Sequence, residues 1–242
     1  MNQLRNEFSW SKSRDEVFKT CPRQYYFKYY AYWGGWENKP PDRTRQIYIL
    51  RNLKNRYMWA GERVHLCIKH SLKNLQRGIL VLPADDIISI TIDRMREDFR
   101  SSRTRRYRMN PKTCALFEHE YETPISDDEW KRMADDVKVC LRNFYGSEMF
   151  ASLKDIPRQN WLEIEDFSFF YLTGKKIWAV IDCSFRTENG VTIIDWKTGR
   201  GTTSDLSLQL SCYAMYGMER WGIKPEKIKL IEYNLCLTSV QN

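Results

Sequence analysis

Ile193-Ile194-Asp195-Trp196-Lys197 is the stretch that decides how this chain folds, together with the upstream run Val180-Ile181-Asp182. Residues two apart on a strand share a face, so Asp195 and Lys197 are predicted to point the same way. Asn189-Gly190 lies between the runs, and this dipeptide between apolar segments is a strong hairpin signal. Such a hairpin places Asp182 opposite or diagonal to Asp195 and Lys197, at about 5–8 Å. Two carboxylates and an ammonium group would then meet at one end of a small sheet, which suits a divalent metal beside a lysine.

The pattern of apolar residues around this hairpin predicts the order α-β-β-β-α-β. We expect a helix over about 126–145, strands over about 161–172, 176–186 and 191–196, a helix over about 204–221 and a strand over about 227–235. The capping-box pair Ser126 and Glu129 marks the start of the first of these helices.

The chain before residue 126 is predicted to be helical. A short helix should begin near Ser13 and end before Pro22, a long helix should cover about 44–78, and a third should run from Pro83 to about Arg100. Residues 23–36 are dense in aromatic side chains. Two interpretations are open for them, namely packing against the core, which we favour, and a stacking platform for bases.

Composition sets broad limits on function. The 242 residues include 39 Lys and Arg against 31 Asp and Glu, a net charge of +8, which is compatible with a polyanionic partner without proving one. The seven cysteines are scattered without a Cys-x-x-Cys pair, which favours reduced, intracellular cysteine. The stretch Met1–Arg5 leads into polar sequence, and no apolar run approaches the ~20 residues of a membrane span. We therefore expect no signal peptide, no membrane partner and a cytoplasmic location.

Three further features strengthen the interpretation as a metal site, since an Asp-x-Lys triplet alone arises often by chance. Asp182 lies in an apolar run, where a carboxylate is costly unless it is paired or bound to metal. His65 follows Gly61 by four residues on the long helix, where a glycine costs about 1 kcal/mol and so indicates close approach of another element. Gln209 and Tyr213 are four apart and share one helix face. Taken alone, His65 would be assigned as a core histidine.

The arginine-rich stretch 100–108 has two interpretations. The default is a solvated loop, and the second is a phosphate-contacting patch that includes Arg103, Arg105 and Arg106.

These motifs together resemble the PD-(D/E)xK nuclease superfamily, and within it the RecB-like branch, which includes CRISPR spacer-acquisition nucleases and helicase–nuclease domains. The resemblance is carried by Asp182, by Asp195-Trp196-Lys197-Thr198-Gly199, by Gln209-x-x-x-Tyr213, by Gly61-x-x-x-His65 and by the N-terminal run from Ser11 to Phe27. It covers about residues 9–235, with unfamiliar stretches at about 36–57 and 79–155. It implies a restriction-endonuclease-like α/β fold, with an αβββαβ core, a mixed sheet and a helical N-terminal region.

The resemblance also implies a role for each residue. His65, Asp182, Asp195 and the backbone carbonyl of Trp196 would bind a divalent metal. Lys197 would position or help to deprotonate the attacking water, and Gln209 and Tyr213 would orient the substrate. Glu165 is a weaker candidate that we interpret as structural. We expect one nuclease domain over residues 1–242, with a helical region at about 37–125 and the core at about 126–235.

The expected activity is that of a Mg²⁺- or Mn²⁺-dependent deoxyribonuclease, because oxygen ligands suit both ions and a histidine favours Mn²⁺. An exonuclease, or an enzyme directed to ends or single strands, is the form expected from the Gln-x-x-x-Tyr motif. The alternatives are an inactive DNA-binding module and a subunit of a helicase or defence complex. In many RecB-like members, the counterpart of Cys21 joins a C-terminal cysteine trio to hold an iron–sulfur cluster. Only Cys236 follows Cys212 in this sequence. Either the cluster is absent, which is the expectation here, or the sequence stops short of the trio.

Overall fold

Helices occupy the described chain up to about residue 155, and strands dominate after it. The computed structural model describes residues 6–199, 206–237 and 239–241; Met1–Arg5 and the predicted helix start at Ser204 lie outside this part. The helices are α1 (Lys12–Thr20), α2 (Pro22–Tyr26), α3 (Asp42–Arg51), α4 (Arg56–Arg77), α5 (Ala84–Arg103), α6 (Phe117–Glu120), α7 (Asp127–Tyr145), α8 (Glu148–Lys154) and α9 (Leu206–Trp221). The strands are β1 (Asp166–Leu172), β2 (Lys175–Ile181), β3 (Cys183–Thr187), β4 (Gly190–Lys197), β5 (Ile228–Asn234) and β6 (Ser239–Gln241). None of the described helices is long and apolar enough to cross a membrane.

The described strands form two sheets. The larger has the order β3-β4-β5-β6, and the smaller is the hairpin of β1 and β2. β4 pairs antiparallel with β3 and parallel with β5, and α9 lies in the connection that parallel neighbours require. The mixed sheet and the helical N-terminal region confirm the predicted fold class.

The hairpin of β3 and β4 confirms the predicted pairing but shifts its turn by one residue. Cys183 pairs with Ile194 and Thr187 with Gly190, so the turn consists of Glu188 and Asn189. Gly190 follows the turn with φ 147°, and the carbonyl of Lys227 leaves no room there for a side chain. Extending this register by one step beyond the Cys183 pair would set Asp182 opposite Asp195.

The two strands predicted at about 161–172 and 176–186 are each interrupted. The first is regular only from Asp166, after Glu165 takes a left-handed φ of 47°. The second breaks at Asp182, which divides β2 in the small sheet from β3 in the large one. The N–H of Glu165 donates to the carbonyl of Ile181, so the interruptions of the two strands lie side by side. At this point the chain passes from one sheet to the other, which an alternating pattern of apolar residues cannot indicate.

The long helix predicted over about 44–78 is two helices, α3 and α4. Between them the backbone of Lys54 pairs with that of Leu116, and this pairing withdraws Lys54 from helical hydrogen bonding. Asn55 then starts α4, since its Oδ1 accepts from the N–H of Met58 at 2.8 Å. The start of α1 also differs from the prediction, since Ser11 and not Ser13 caps this helix.

The chain divides into two compact units. The first comprises Met1–Trp59, Met95–Ser126 and Tyr171–Ile177, and the second comprises Ala60–Arg94, Asp127–Phe170 and Trp178–Asn242. Buried side chains of the first unit include Trp59, Met95, Tyr107 and Leu116. Those of the second include Ile68, Leu72, Leu141, Phe144, Ile181, Ile193, Trp196 and Tyr216.

A buried tyrosine and a carboxylate stabilise the first unit in a pH-dependent way. Tyr107 donates to Glu120 Oε2 at 2.5 Å, and Arg108 donates to Oε1 at 2.8 Å. Burial alone would raise the pKa of Glu120, but these two hydrogen bonds outweigh it, and the pKa lies below its usual value. A lowered pKa stabilises the fold above the unfolded pKa of about 4.3, and this stabilisation is lost as the pH falls through the folded pKa.

We therefore expect Glu120→Gln to lower the free energy of unfolding by about 1–2 kcal/mol at pH 7, because hydrogen bonds to a charged group are lost. Urea titrations at pH 7 and at successively lower pH should show the difference shrinking as the pH falls below the unfolded pKa of about 4.3 and through the lowered folded pKa of Glu120. The matched control is Glu122→Gln. The Glu122 carboxylate forms an ion pair with Arg105 but is 80% exposed, so we expect the free energy of unfolding to change by no more than about 0.5 kcal/mol. A deficit of Glu120→Gln that does not depend on pH would contradict the account.

Candidate active site

Two buried carboxylates lie at the end of the β3–β4 hairpin, in the second unit. Asp182 is 8% exposed and Asp195 is 2% exposed. Asp182 Oδ2 accepts a hydrogen bond from the backbone N–H of Trp196 at 2.8 Å. This bond connects the interruption between β2 and β3 to β4. Lys197 Nζ lies 2.5 Å from Asp195 Oδ2, so these two side chains share a face of β4, as the sequence predicts.

Helix α9 adds the two polar groups expected from its four-residue spacing. Gln209 donates through Nε2 to Asp195 Oδ1 at 2.9 Å and accepts from Lys197 Nζ at 3.1 Å. Tyr213 donates to the backbone carbonyl of Val180 at 2.7 Å and also lies 3.3 Å from Asp195 Oδ1. One amide side chain therefore bridges the carboxylate and the ammonium group and fixes the orientation of both.

Helix α4 brings His65 to the same carboxylates. His65 Nδ1 lies 2.9 Å from Glu165 Oε1 and 3.5 Å from Asp182 Oδ1. Within the described parts of the chain, these three side chains form the one group of three or more His, Cys, Asp or Glu residues that could hold a metal ion, with one ligand atom of each within 4.8 Å of the others.

Glu165, interpreted from the sequence as a structural residue, belongs to this group. Lys69 Nζ donates to its backbone carbonyl at 2.7 Å, and Lys73 Nζ contacts Asp166 Oδ2 at 2.7 Å. His65, Lys69 and Lys73 are four residues apart along α4 and form one row. That row holds the left-handed turn at Glu165 and directs its carboxylate at His65. The available sequence signal was weak, namely an acidic pair just where an apolar strand pattern begins.

The charges at the site influence one another strongly. Burial and the neighbouring Asp182 carboxylate raise the pKa of Asp195 to about 6, although Lys197 and His65 act to lower it. Burial lowers the pKa of His65, but Asp182 and Glu165 more than offset this and raise it well above its usual value. Carboxylates held this close in a buried place repel one another, and a shared cation relieves the repulsion.

The donor set fits a divalent cation. Carboxylate oxygens suit Mg²⁺ and Mn²⁺, and one imidazole nitrogen is a ligand that Mn²⁺ accepts. His65, Glu165 and Asp182 offer these atoms directly, and the charge of Asp182 acts on Asp195. The residues present therefore match the metal that the motif implies.

Gly61 has the close contact that its place in a helix indicated. A Cβ on Gly61 would lie 2.9 Å from Thr198 Oγ1, closer than real side chains approach. Thr198 directly follows Lys197 on the chain, so the absence of a side chain at Gly61 lets α4 pack against the end of β4.

The remaining predicted site residues lie elsewhere. Arg103 and Arg106 are exposed in the first unit, while Arg105 donates to Glu122 and to the carbonyls of His119 and Glu120. Cys21 Sγ accepts from the N–H of Gln24 and caps α2. Cys236 Sγ lies 2.9 Å from Cys140 Sγ and 3.0 Å from the carbonyl of Thr198.

The fold is of the restriction-endonuclease-like class. The chain belongs to the PD-(D/E)XK nuclease superfamily, whose family model matches residues 9–240. Membership confirms the predicted superfamily and implies a hydrolase that cleaves nucleic acid with the help of a divalent metal. No curated protein shows a significant match to the chain.

Proposed function

We propose that this protein is a RecB-like deoxyribonuclease that hydrolyses phosphodiester bonds with Mg²⁺ or Mn²⁺ and acts on DNA ends or single strands. The observation that carries the proposal is the convergence of His65, Glu165 and Asp182 with the Asp195–Lys197 pair. The family match spans residues 9–240 and so runs through both units, which supports a single nuclease domain.

His65, Glu165, Asp182 and Asp195 would hold the metal. The Trp196 carbonyl is a further ligand in this proposal, because the N–H and C=O of a strand residue point to the same side and its N–H already faces Asp182. A bound divalent metal would supply charge stabilisation at the phosphate and lower the pKa of water. Lys197 would stabilise the charge that develops on the phosphate oxygens, held in place by Asp195 and Gln209.

The test is cleavage of labelled DNA in Mg²⁺, in Mn²⁺ and in EDTA. Linear single strands, blunt duplexes, circular single strands and RNA are compared, and we expect metal-dependent cleavage that is fastest on linear DNA. Asp195→Asn should be inactive, and Asp155→Asn, which changes an exposed carboxylate at the end of α8, should match the wild type. Salt-sensitive DNA binding without any metal-dependent turnover would overturn the proposal in favour of a binding module.

Gly61 provides a prediction that depends on packing and leaves the ligands intact. Gly61→Ala should favour the helix by about 1 kcal/mol, yet its Cβ must displace Thr198 next to Lys197. A misplaced catalytic group costs up to ~100-fold in rate, and we expect a loss of about tenfold here.

The companion variant Gly61→Ala with Thr198→Ala removes the clashing Oγ1 and should recover most of the lost rate. Initial rates of cleavage at saturating metal measure both variants. A double variant as slow as Gly61→Ala alone would contradict the packing explanation.

A further inference from the structure

An aromatic and strongly basic segment lies in the first unit and has no part in the metal site. Residues 22–56 carry eight basic and two acidic side chains, a net charge of +6 where the whole chain has +8. The same segment contains a set of aromatic side chains that we call the aromatic surface: Tyr25, Tyr26, Phe27, Tyr29, Tyr30, Tyr32, Trp33, Trp36 and Tyr48.

The sequence favoured packing of these rings against the core, and the structure leaves every one of them at least partly exposed. No residue of α2, of the π-helical turn Phe27–Ala31 or of α3 is buried. Tyr26 is 56% exposed and Trp36 is 38% exposed. A surface helix normally presents a polar face to solvent. Aromatic rings that stay partly exposed along this segment therefore indicate a binding surface.

The rings are held in place by one another. Tyr32 stacks against Tyr48 with ring centroids 6.2 Å apart, and Trp33 meets Trp36 edge to face at 4.9 Å. The chain before them forms the π-helical turn, a rare conformation that is found often at functional sites. Rings fixed in this way lose little conformational freedom when a planar ligand stacks on them.

Cations are interleaved with the rings. The Arg51 guanidinium lies 3.7 Å from the centroid of Tyr32, and that of Arg14 lies 4.4 Å from the centroid of Tyr29. Burial and the positive charge of Arg51 lower the pKa of Lys28, so positive charge is crowded here. Phosphate groups would complement this charge, and bases would stack on the rings.

We propose that the aromatic surface binds single-stranded nucleic acid, with bases stacked on its rings and phosphates paired with Arg23, Lys28 and Arg51. The proposal deepens the proposed function, since it names the form of the substrate. Stacking on exposed rings and a basic track along the backbone are the two features that bind single strands without regard to sequence. The bases of a duplex are already stacked inside the helix, so the surface should discriminate against duplex.

The experiment is fluorescence anisotropy with a labelled oligothymidylate of about 20 nucleotides, in EDTA so that no cleavage occurs. We expect Tyr26→Ala and Trp36→Ala each to weaken binding by about tenfold, and Trp36→Phe to retain most of the affinity because it keeps a ring. The matched control is Tyr121→Ala, which removes a tyrosine that is 54% exposed in the same unit and should change the dissociation constant less than about twofold. Thermal unfolding of each variant identifies any that fail to fold, and Trp36→Phe keeps the test valid if Trp36→Ala does.

Charge is tested separately. Arg23→Ala should reduce the slope of log affinity against log salt by about one, as the loss of one phosphate contact does. If Tyr26→Ala and Trp36→Ala both bind the oligonucleotide with wild-type affinity, the proposal is overturned, and a protein partner becomes the better explanation of the surface. An equal loss of affinity for a hairpin duplex would also overturn it, because stacking on the rings requires unpaired bases.

Failure of this proposal and failure of the nuclease assignment are distinguishable. Binding in EDTA needs neither metal nor turnover. A protein that does not cleave DNA but loses single-strand affinity in Tyr26→Ala supports the aromatic surface alone. A protein that cleaves DNA and binds equally well with or without these rings supports the nuclease alone.

Discussion

Replacing Lys197 with alanine is expected to slow phosphodiester cleavage by about 10²–10³-fold, equivalent to about 2.7–4 kcal/mol of transition-state stabilisation. Lys197 Nζ is held by Asp195 at 2.5 Å and by Gln209 at 3.1 Å, so its charge is already oriented before substrate binds. Such a fixed cation costs no reorganisation as charge develops on the phosphate. Because an ammonium group cannot be a metal ligand, metal affinity should not fall.

Single-turnover cleavage and calorimetry with Mn²⁺ measure the two effects separately. Lys197→Arg should also be slow, since a planar guanidinium cannot replace a compact ammonium group in this contact. Lys224→Ala is the control, because Lys224 is an exposed lysine in the same unit. Equal rates for Lys197→Ala and the wild type would show that Lys197 does not stabilise the transition state.

Asp182→Asn is expected to abolish metal binding and cleavage together. The asparagine Oδ1 can still accept the hydrogen bond from the Trp196 N–H, so the fold should survive the change. The lost negative charge lies 3.5 Å from His65 Nδ1 and acts on Asp195, and it would help to neutralise the metal. We expect metal affinity to fall by more than the ~10–100-fold that changes around a metal site typically cost.

Glu165→Gln provides a graded comparison. Glu165 Oε1 lies 2.9 Å from His65 Nδ1 and is a proposed ligand, and glutamine keeps one oxygen donor there, so a loss within that ~10–100-fold range is expected. Calorimetry with Mn²⁺ ranks the variants by metal affinity. Asp155→Asn is the matched control for the loss of one carboxylate. An Asp182→Asn protein that binds Mn²⁺ as tightly as the wild type would exclude Asp182 as a ligand.

Much of the candidate site could be predicted from short-range patterns. The spacing of Asp195 and Lys197 on a strand and of Gln209 and Tyr213 on a helix depends only on backbone geometry, and the structure brings all four side chains together. Gly61 indicated a close neighbour, and Thr198 is that neighbour. The roles of these residues in binding and catalysis stay predictions.

Other features depend on contacts between distant parts of the chain. The interruption of two strands at Glu165 and Asp182 occurs where the chain passes between sheets, and Lys69 and Lys73 stabilise it from about a hundred residues away in sequence. The division of α3 from α4 likewise depends on the pairing of Lys54 with Leu116. Local propensity cannot anticipate either, because the decisive partner is not a sequence neighbour.

The sequence by itself determined the hairpin around Asp182 and Asp195, because strand alternation and turn residues are local properties. The superfamily and the α/β fold class followed from the resemblance of its motifs, which the family match supports. Only the tertiary structure decided that Glu165 joins His65 and Asp182, and that the rings of residues 22–56 stay part-exposed instead of entering a core. Burial and carboxylate convergence depend on which elements pack together, and that packing is a property of the whole fold.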